Sequence, residues 1–188
     1  PQQIRSLEGI ETLPGAHNAQ NAAAAYLVCR SVGAPHDDIV SAMETYPGLP
    51  HRQQLAAVID GVRYVNDSKA TNPNAAAAGI QAIDTPLVLL AGGSSKDADF
   101  SEIGALMRTK ARHVVLFGQT RHALAEAIGE GHPLTCVETL DEAVAVASRL
   151  AHLGDTVLLG PACASYDQFK SYIHRGDVFR ALVRALEP

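Results

Sequence analysis

Three apolar runs, each closed by glycine, constrain this chain more than any other feature. They are Pro86 to Ala91 before Gly92-Gly93, His113 to Phe117 before Gly118, and Asp155 to Leu159 before Gly160-Pro161. Short runs without polar alternation fit strands buried on both faces, which occur in parallel sheets covered by helices. Amphipathic segments fill the gaps. Helices are expected over roughly Phe100 to Lys110, Arg121 to about Ile128, and onward from Thr139 to about Leu150, where Thr139-Leu140-Asp141-Glu142 matches a capping box. Leu134 to Val137 predicts a further short strand. The closing helix carries Val178, Phe179, Leu182, Val183 and Leu186 at helical spacing. Leu55 to Ile59 and Val62 to Val65 flank Asp60-Gly61 and predict a tight hairpin. The fold class implied is α/β: a Rossmann-like, mostly parallel sheet with helices on both faces.

Pro47-Gly48-Leu49-Pro50 reads as a linker between this pattern and a helical segment before it. The expected division is therefore residues 1–48 and residues 49–188. The first part holds an alanine-rich helix from about His17 towards Gly33, apolar nearly all round, and a short helix opening at Pro35. A helix with that pattern requires partners on several sides.

A net charge of −5 argues against a nucleic-acid partner or a basic membrane-surface role. No apolar run approaches the roughly 20 residues that cross a bilayer. Cys29, Cys136 and Cys163 lie far apart, which predicts reduced core thiols and a cytoplasmic setting. The eight histidines show no metal-ligand spacing, so no metal site is expected.

In a parallel sheet the ligand crevice lies beyond the carboxyl ends of the strands. Three polar loops are expected at that edge: 66–74, 92–99 and 160–168. In the first, Asn72 can cap a helix and Pro73 suits its first turn, while Lys69 and Thr71 would offer an anion a charge and a hydroxyl. A capped turn with a solvated lysine accounts for the same residues. The second loop, Gly92-Gly93-Ser94-Ser95-Lys96, lacks the spacing of a Walker A loop, and a plain strand-to-helix turn fits it equally. In the third, Cys163 has no legible base beside it and reads as a buried thiol. Ser165 lacks the Gly-x-Ser-x-Gly elbow and reads as a hydrogen-bonding hydroxyl.

Taken as an ordered series, these motifs resemble the Mur ligase family. The series is Gly15-Ala16-His17-Asn18-x-x-Asn21, Leu49-Pro50-His51-Arg52, Asn66-Asp67-Ser68-Lys69-Ala70-Thr71-Asn72, Gly92-Gly93-x-x-Lys96-x-x-Asp99-Phe100, and Pro161-Ala162-Cys163-Ala164-Ser165-x-Asp167-Gln168-Phe169, followed by Arg175-Gly176 and Phe179. The resemblance runs from about residue 13 to the end. The Asp-Ser-Lys-Ala-Thr-Asn string is similar to the branch that adds D-glutamate; sister ligases and folylpolyglutamate synthases carry Asp-Tyr-Ala-His-type variants there.

The resemblance implies a three-domain ligase. ATP activates the carboxylate of UDP-N-acetylmuramoyl-L-alanine as an acyl phosphate, and the amine of D-glutamate attacks it. Residues 1–48 would be the tail of the central ATP-binding domain, and residues 49–188 the whole C-terminal domain. The N-terminal and central domains of the same enzyme, with the ligands for Mg2+, would lie outside this sequence. By resemblance Asn18 and Asn21 stand on the adenine side, His51 and Arg52 contact the nucleotide at the hinge, and Asp67 holds the ribose. Lys69 and Thr71 neighbour the phosphate and the incoming amino acid and form the catalytic pair. Thr71, Lys96, Ser165 and Tyr172 bind D-glutamate. Two other readings stay open on the residues: a non-catalytic nucleotide- or anion-binding module, and a ligase of the same family that adds a different amino acid.

Overall fold

The computed structural model describes residues 6–7, 9–10, 12–13, 15–95 and 98–187, with the side chains of Ala16 and His17 left aside. The chain divides into two compact units, Pro1–Leu49 and Pro50–Pro188.

In the first unit α1 (Ala16–Ser31) packs on α2 (His36–Glu44). The Tyr26 hydroxyl lies 2.9 Å from His36 Nδ1, and Arg30 donates to Ala34 O at 2.7 Å across the turn between the helices. Ile39 is the one apolar side chain buried among the described residues of this unit. Leu27 and Val28 on α1 are 65% exposed, and Val32 just after it 80%.

The second unit is built on one six-stranded sheet: β1 (Gln54–Ile59), β2 (Val62–Asn66), β3 (Leu87–Gly92), β4 (Ala111–Phe117), β5 (Leu134–Cys136) and β6 (Thr156–Leu159). Its spatial order is β1-β2-β6-β3-β4-β5. The β1–β2 pair is antiparallel, and every other pair is parallel. Asp60 (φ 50°) and Gly61 (φ 73°) both turn through the left-handed region, the geometry that lets a two-residue hairpin follow strand twist.

The helices α3 (Pro73–Gln81), α4 (Ser101–Lys110) and α5 (Arg121–Ile128) cover one face of the sheet. On the other face lie α6 (Leu140–Leu150) and α7 (Tyr172–Arg184). Along β3, Leu89 and Ala91 enter the first core while Val88 and Leu90 enter the second. Both faces are therefore apolar, which is why this strand shows no polar alternation. The capping box at Thr139 forms in full, and Asn72 Oδ1 accepts from Ala75 N at the start of α3.

Cys163 is buried as expected, but Cys136 is exposed and Cys29 only half-buried. The expectation of three core thiols is thus corrected at Cys136, which ends a three-residue strand on the sheet edge with no neighbour beyond it. No described helix is long and apolar enough to cross a membrane.

Strand order fixes where a ligand can lie. The chain steps outward from β3 to β5, then β6 returns to fill the gap between β2 and β3. That reversal brings the carboxyl ends of β2, β6 and β3 side by side, and the crevice of such sheets opens there.

Candidate functional site

Asn66 ends β2 fully buried and has every polar atom engaged. Its Oδ1 accepts from Ser68 N at 3.1 Å, closing a local turn. Its Nδ2 lies 3.1 Å from both Gly176 O and His51 Nδ1. Asp67 N continues the ladder onto Leu159 O of β6. Short bonds then run from Ala70 N to Asp67 O and from Thr71 N to Lys69 O, which coil residues 67–71 into a tight loop.

Residues 51–53 face this loop. His51 (φ 62°) and Gln53 (φ 45°) both lie in the left-handed region, a conformation worth about 1 kcal/mol of strain per residue. The site supplies the restraint: Lys69 N donates to His51 O at 3.0 Å, and Gln53 N donates to Asp67 Oδ1 at 3.3 Å. Donation from Asn66 to Nδ1 leaves the His51 proton on Nε2, 3.9 Å from Asp177 Oδ1. Burial holds the His51 pKa below its ordinary value; Asp177 opposes this and Arg180 adds to it. A Cβ at Gly176 would come within 2.2 Å of His51 Nδ1, so α7 must be bare at that position for the imidazole to seat. Tyr172 packs edge-on to His51 at 6.2 Å, and the Lys69 ammonium lies 4.0 Å over the Tyr172 ring.

Asp67 is buried beneath Gln53, whose Nε2 donates to Oδ2 at 2.9 Å, and Arg52 stands exposed nearby. Burial lifts the Asp67 carboxyl to about 6, against the Gln53 bonds and the Arg52 charge, which pull it down. The folded value lies above the unfolded one. The group's contribution to stability is therefore complete below about pH 4 and lost as pH rises through about 6. Replacing Asp67 by Asn should shift the stability difference by about 2–3 kcal/mol in favour of the variant between pH 4 and 7.5. Denaturant unfolding of both proteins at the two pH values checks this, and a constant difference would contradict it.

Arg175, with no exposed surface, fastens two of the three loops together. Its Nε donates to Ser68 Oγ (3.0 Å) and Nη2 to Ser68 O (2.9 Å), while Nη1 reaches Cys163 O (3.1 Å) and Ala164 O (3.2 Å). Ser68 Oγ passes its own proton to Tyr172 O at 2.8 Å. Burial lowers the Arg175 pKa to about 10, with Cys163 and Asp167 acting the other way, so the guanidinium stays charged at neutral pH. The third loop joins through Ser94 N, which donates to Ala164 O at 2.9 Å. Asp167 anchors the far side, its Oδ2 accepting from Gln119 N at 3.1 Å.

The structure thus brings His51, Lys69 and Tyr172 into direct contact, with Asp67 and Thr71 on the same loop as Lys69. Ser165 is buried on the loop that Arg175 ties to them. Its carbonyl accepts from Phe169 N at 2.8 Å. Lys96 lies outside the described residues. Asn18 and Asn21 lie three apart on α1 in the first unit, Asn18 half-buried and Asn21 exposed. No group of three His, Cys, Asp or Glu side chains is placed to hold a metal ion among the described residues.

Sequence reading gave no role to Arg175, Asn66 or Gln53. Arg175 left a signal: it lies four and eight residues before Phe179 and Val183, both wholly buried, so a charge falls on the apolar stripe of α7. A buried arginine must find acceptors.

The family described as "Mur ligase, glutamate ligase domain" matches residues 51–163, more than half of the chain. The UDP-N-acetylmuramoylalanine–D-glutamate ligase of Rhodospirillum rubrum is 47% identical over 99% of this chain, and that of Pelotomaculum thermopropionicum 42% over 93%. The chain spans 39% of the length of each of these two relatives. Among solved structures, UDP-N-acetylmuramate-alanine ligase MurC from Thermotoga maritima superposes with a TM-score of 0.70 at 18% identity, covering 92% of this chain and 39% of that one. A folylpolyglutamate synthase of Mycobacterium tuberculosis, solved with ADP and AMPPCP, gives 0.66 at 25% identity, covering 90% of this chain and 41% of that one. The chain belongs to the Mur ligase family, by its glutamate ligase domain.

Proposed function

We propose that this chain is the amino-acid-accepting part of an ATP-dependent ligase that joins D-glutamate to UDP-N-acetylmuramoyl-L-alanine in peptidoglycan precursor synthesis, in the cytoplasm. The observation that carries the reading is the Arg175 junction, which holds the loop of Lys69 and Thr71 against the loop of Ser165 at the reversal of strand order. A dicarboxylate needs two separated anchors. The Lys69 ammonium and Thr71 hydroxyl supply one, and Ser165 with Lys96 the other. Lys69, Thr71 and Ser165 stand on loops closed by fixed strand ends, so binding orders little of these three that is not ordered already.

The second unit also suits one side of a nucleotide. Asp67 keeps acceptor capacity for a ribose hydroxyl beyond its bonds from Gln53, and exposed Arg52 offers a charge to phosphate. Asn18 and Asn21 are assigned to the adenine side, and residues 1–48 to the tail of the central ATP-binding domain. When bound, ATP supplies the phosphoryl group that activates the acceptor carboxylate. Mg2+ is assigned to the triphosphate and to residues outside this chain. The chain's own part is to hold D-glutamate with its amine directed at the activated carbon, a matter of positioning and charge neutralisation.

Phosphate release measured on the full-length protein with ATP and UDP-N-acetylmuramoyl-L-alanine tests this. It should depend on D-glutamate and be absent with L-lysine or diaminopimelate. Turnover with either of those would overturn the substrate assignment. The 188-residue chain alone should release no phosphate with both substrates present, and measurable release would overturn the division of labour.

A further inference from the structure

The Lys69 ammonium sits 4.0 Å from the centroid of the Tyr172 ring, within the range of a cation–π contact. No carboxylate lies within ion-pair distance of Lys69 among the described residues. Tyr172 is held at its backbone and at its ring. It opens α7 behind the Ser171 cap, its carbonyl accepts from Ser68 Oγ, and its ring packs at right angles to that of His51. The Lys69 backbone is pinned separately, by its N–H on His51 O. Both ends of a flexible four-carbon stem are thereby fixed.

From this geometry we infer that Tyr172 is a positioning residue for Lys69, and that it acts through the ring face and not the phenol hydroxyl. An aromatic face attracts an ammonium through its quadrupole and engages N–H groups only weakly, without neutralising the charge. A carboxylate in the same place would neutralise the charge and compete with an incoming anion. The ring takes up only the N–H groups that point at its face and carries no charge of its own. Lys69 therefore keeps its positive charge and its outward N–H and is set in advance as a hook for a carboxylate. This inference rests on the D-glutamate reading above, which it deepens by saying how one anchor is ordered before the substrate arrives.

NMR of the chain labelled at lysine tests the two ideas separately. The Lys69 ε-methylene protons should lie upfield of the other lysines through the ring current of Tyr172. That shift should survive in Tyr172→Phe and vanish in Tyr172→Leu, and the shifts of core methyl groups away from α7 report that each variant is folded. D-Glutamate titrated onto the same signal should bind about two- to fivefold more weakly to Tyr172→Leu than to Tyr172→Phe. An unshifted Lys69 signal in the parent, or a shift that persists in Tyr172→Leu, overturns the pairing. Equal D-glutamate affinity in the two variants overturns the positioning role. If the parent shows the ring-current shift but no response to D-glutamate at any concentration, the pairing stands and the D-glutamate reading falls.

Discussion

Arg175→Met should destabilise the second unit by about 3–5 kcal/mol and uncouple two loops of the site. The methionine fills similar space but leaves Ser68 O and Cys163 O without the Arg175 donors that now satisfy them, while Ala164 O keeps its bond from Ser94 N. Each buried carbonyl so stranded costs about 1–3 kcal/mol, relieved in part where water can enter. Arg175→Lys tests the geometry of the fork. It keeps a charge but cannot reach both Ser68 and the 163–164 carbonyls from one planar group, so it should lose about half as much. Denaturant unfolding gives both numbers. A loss below about 1 kcal/mol in Arg175→Met would mean that the loops are held by their strands alone.

Gly93→Ala should be nearly as damaging for a different reason. Gly93 has φ 139°, a conformation that side chains rarely adopt, and a Cβ there would fall 2.1 Å from Ala164 O and 3.1 Å from Arg175 Nη1. The first obstacle is backbone and cannot rotate away, so the 92–95 and 160–168 loops must separate. We expect a loss of about 3 kcal/mol, combining strain with overpacking. Gly131→Ala is the control. Gly131 also has positive φ, 79°, but nothing lies within 4 Å of its Cβ direction, so about 1 kcal/mol is expected. Because Gly93 and Arg175 meet at Ala164, the double variant should lose clearly less than the sum of the singles. Full additivity would place the two residues in independent structures.

The strands and their helices were legible because their cause is local. A run such as Leu87–Gly92 is buried on both faces, and burial writes itself into composition. Caps at Asn72 and Thr139 were legible for the same reason, each needing only residues within one turn. The Lys69–Thr71 loop could be placed at the carboxyl edge of the sheet because it follows a strand directly. What escaped was everything that depends on distant parts of the chain. Arg175 meets Ser68 across 107 positions, and no local pattern names an acceptor that far away. The insertion of β6 between β2 and β3 is likewise a property of the whole sheet, yet it is what makes the three loops neighbours. The left-handed turn at His51 and Gln53 was invisible because neither residue demands it; their hydrogen bonds to Lys69 and Asp67 impose it. Cys136 misled for the converse reason, since apolar flanks on a three-residue edge strand do not ensure cover.

The proposed function requires that the ends of β2, β6 and β3 form a single cup for a small diacid. Backbone amide NMR during a D-glutamate titration tests it most directly. The claim predicts that the amides of Lys69 and Thr71, of Ser94 and Lys96, and of Ala164 and Ser165 move together with one dissociation constant. Shifts confined to one of these loops, or loops that titrate with separate constants, would contradict it.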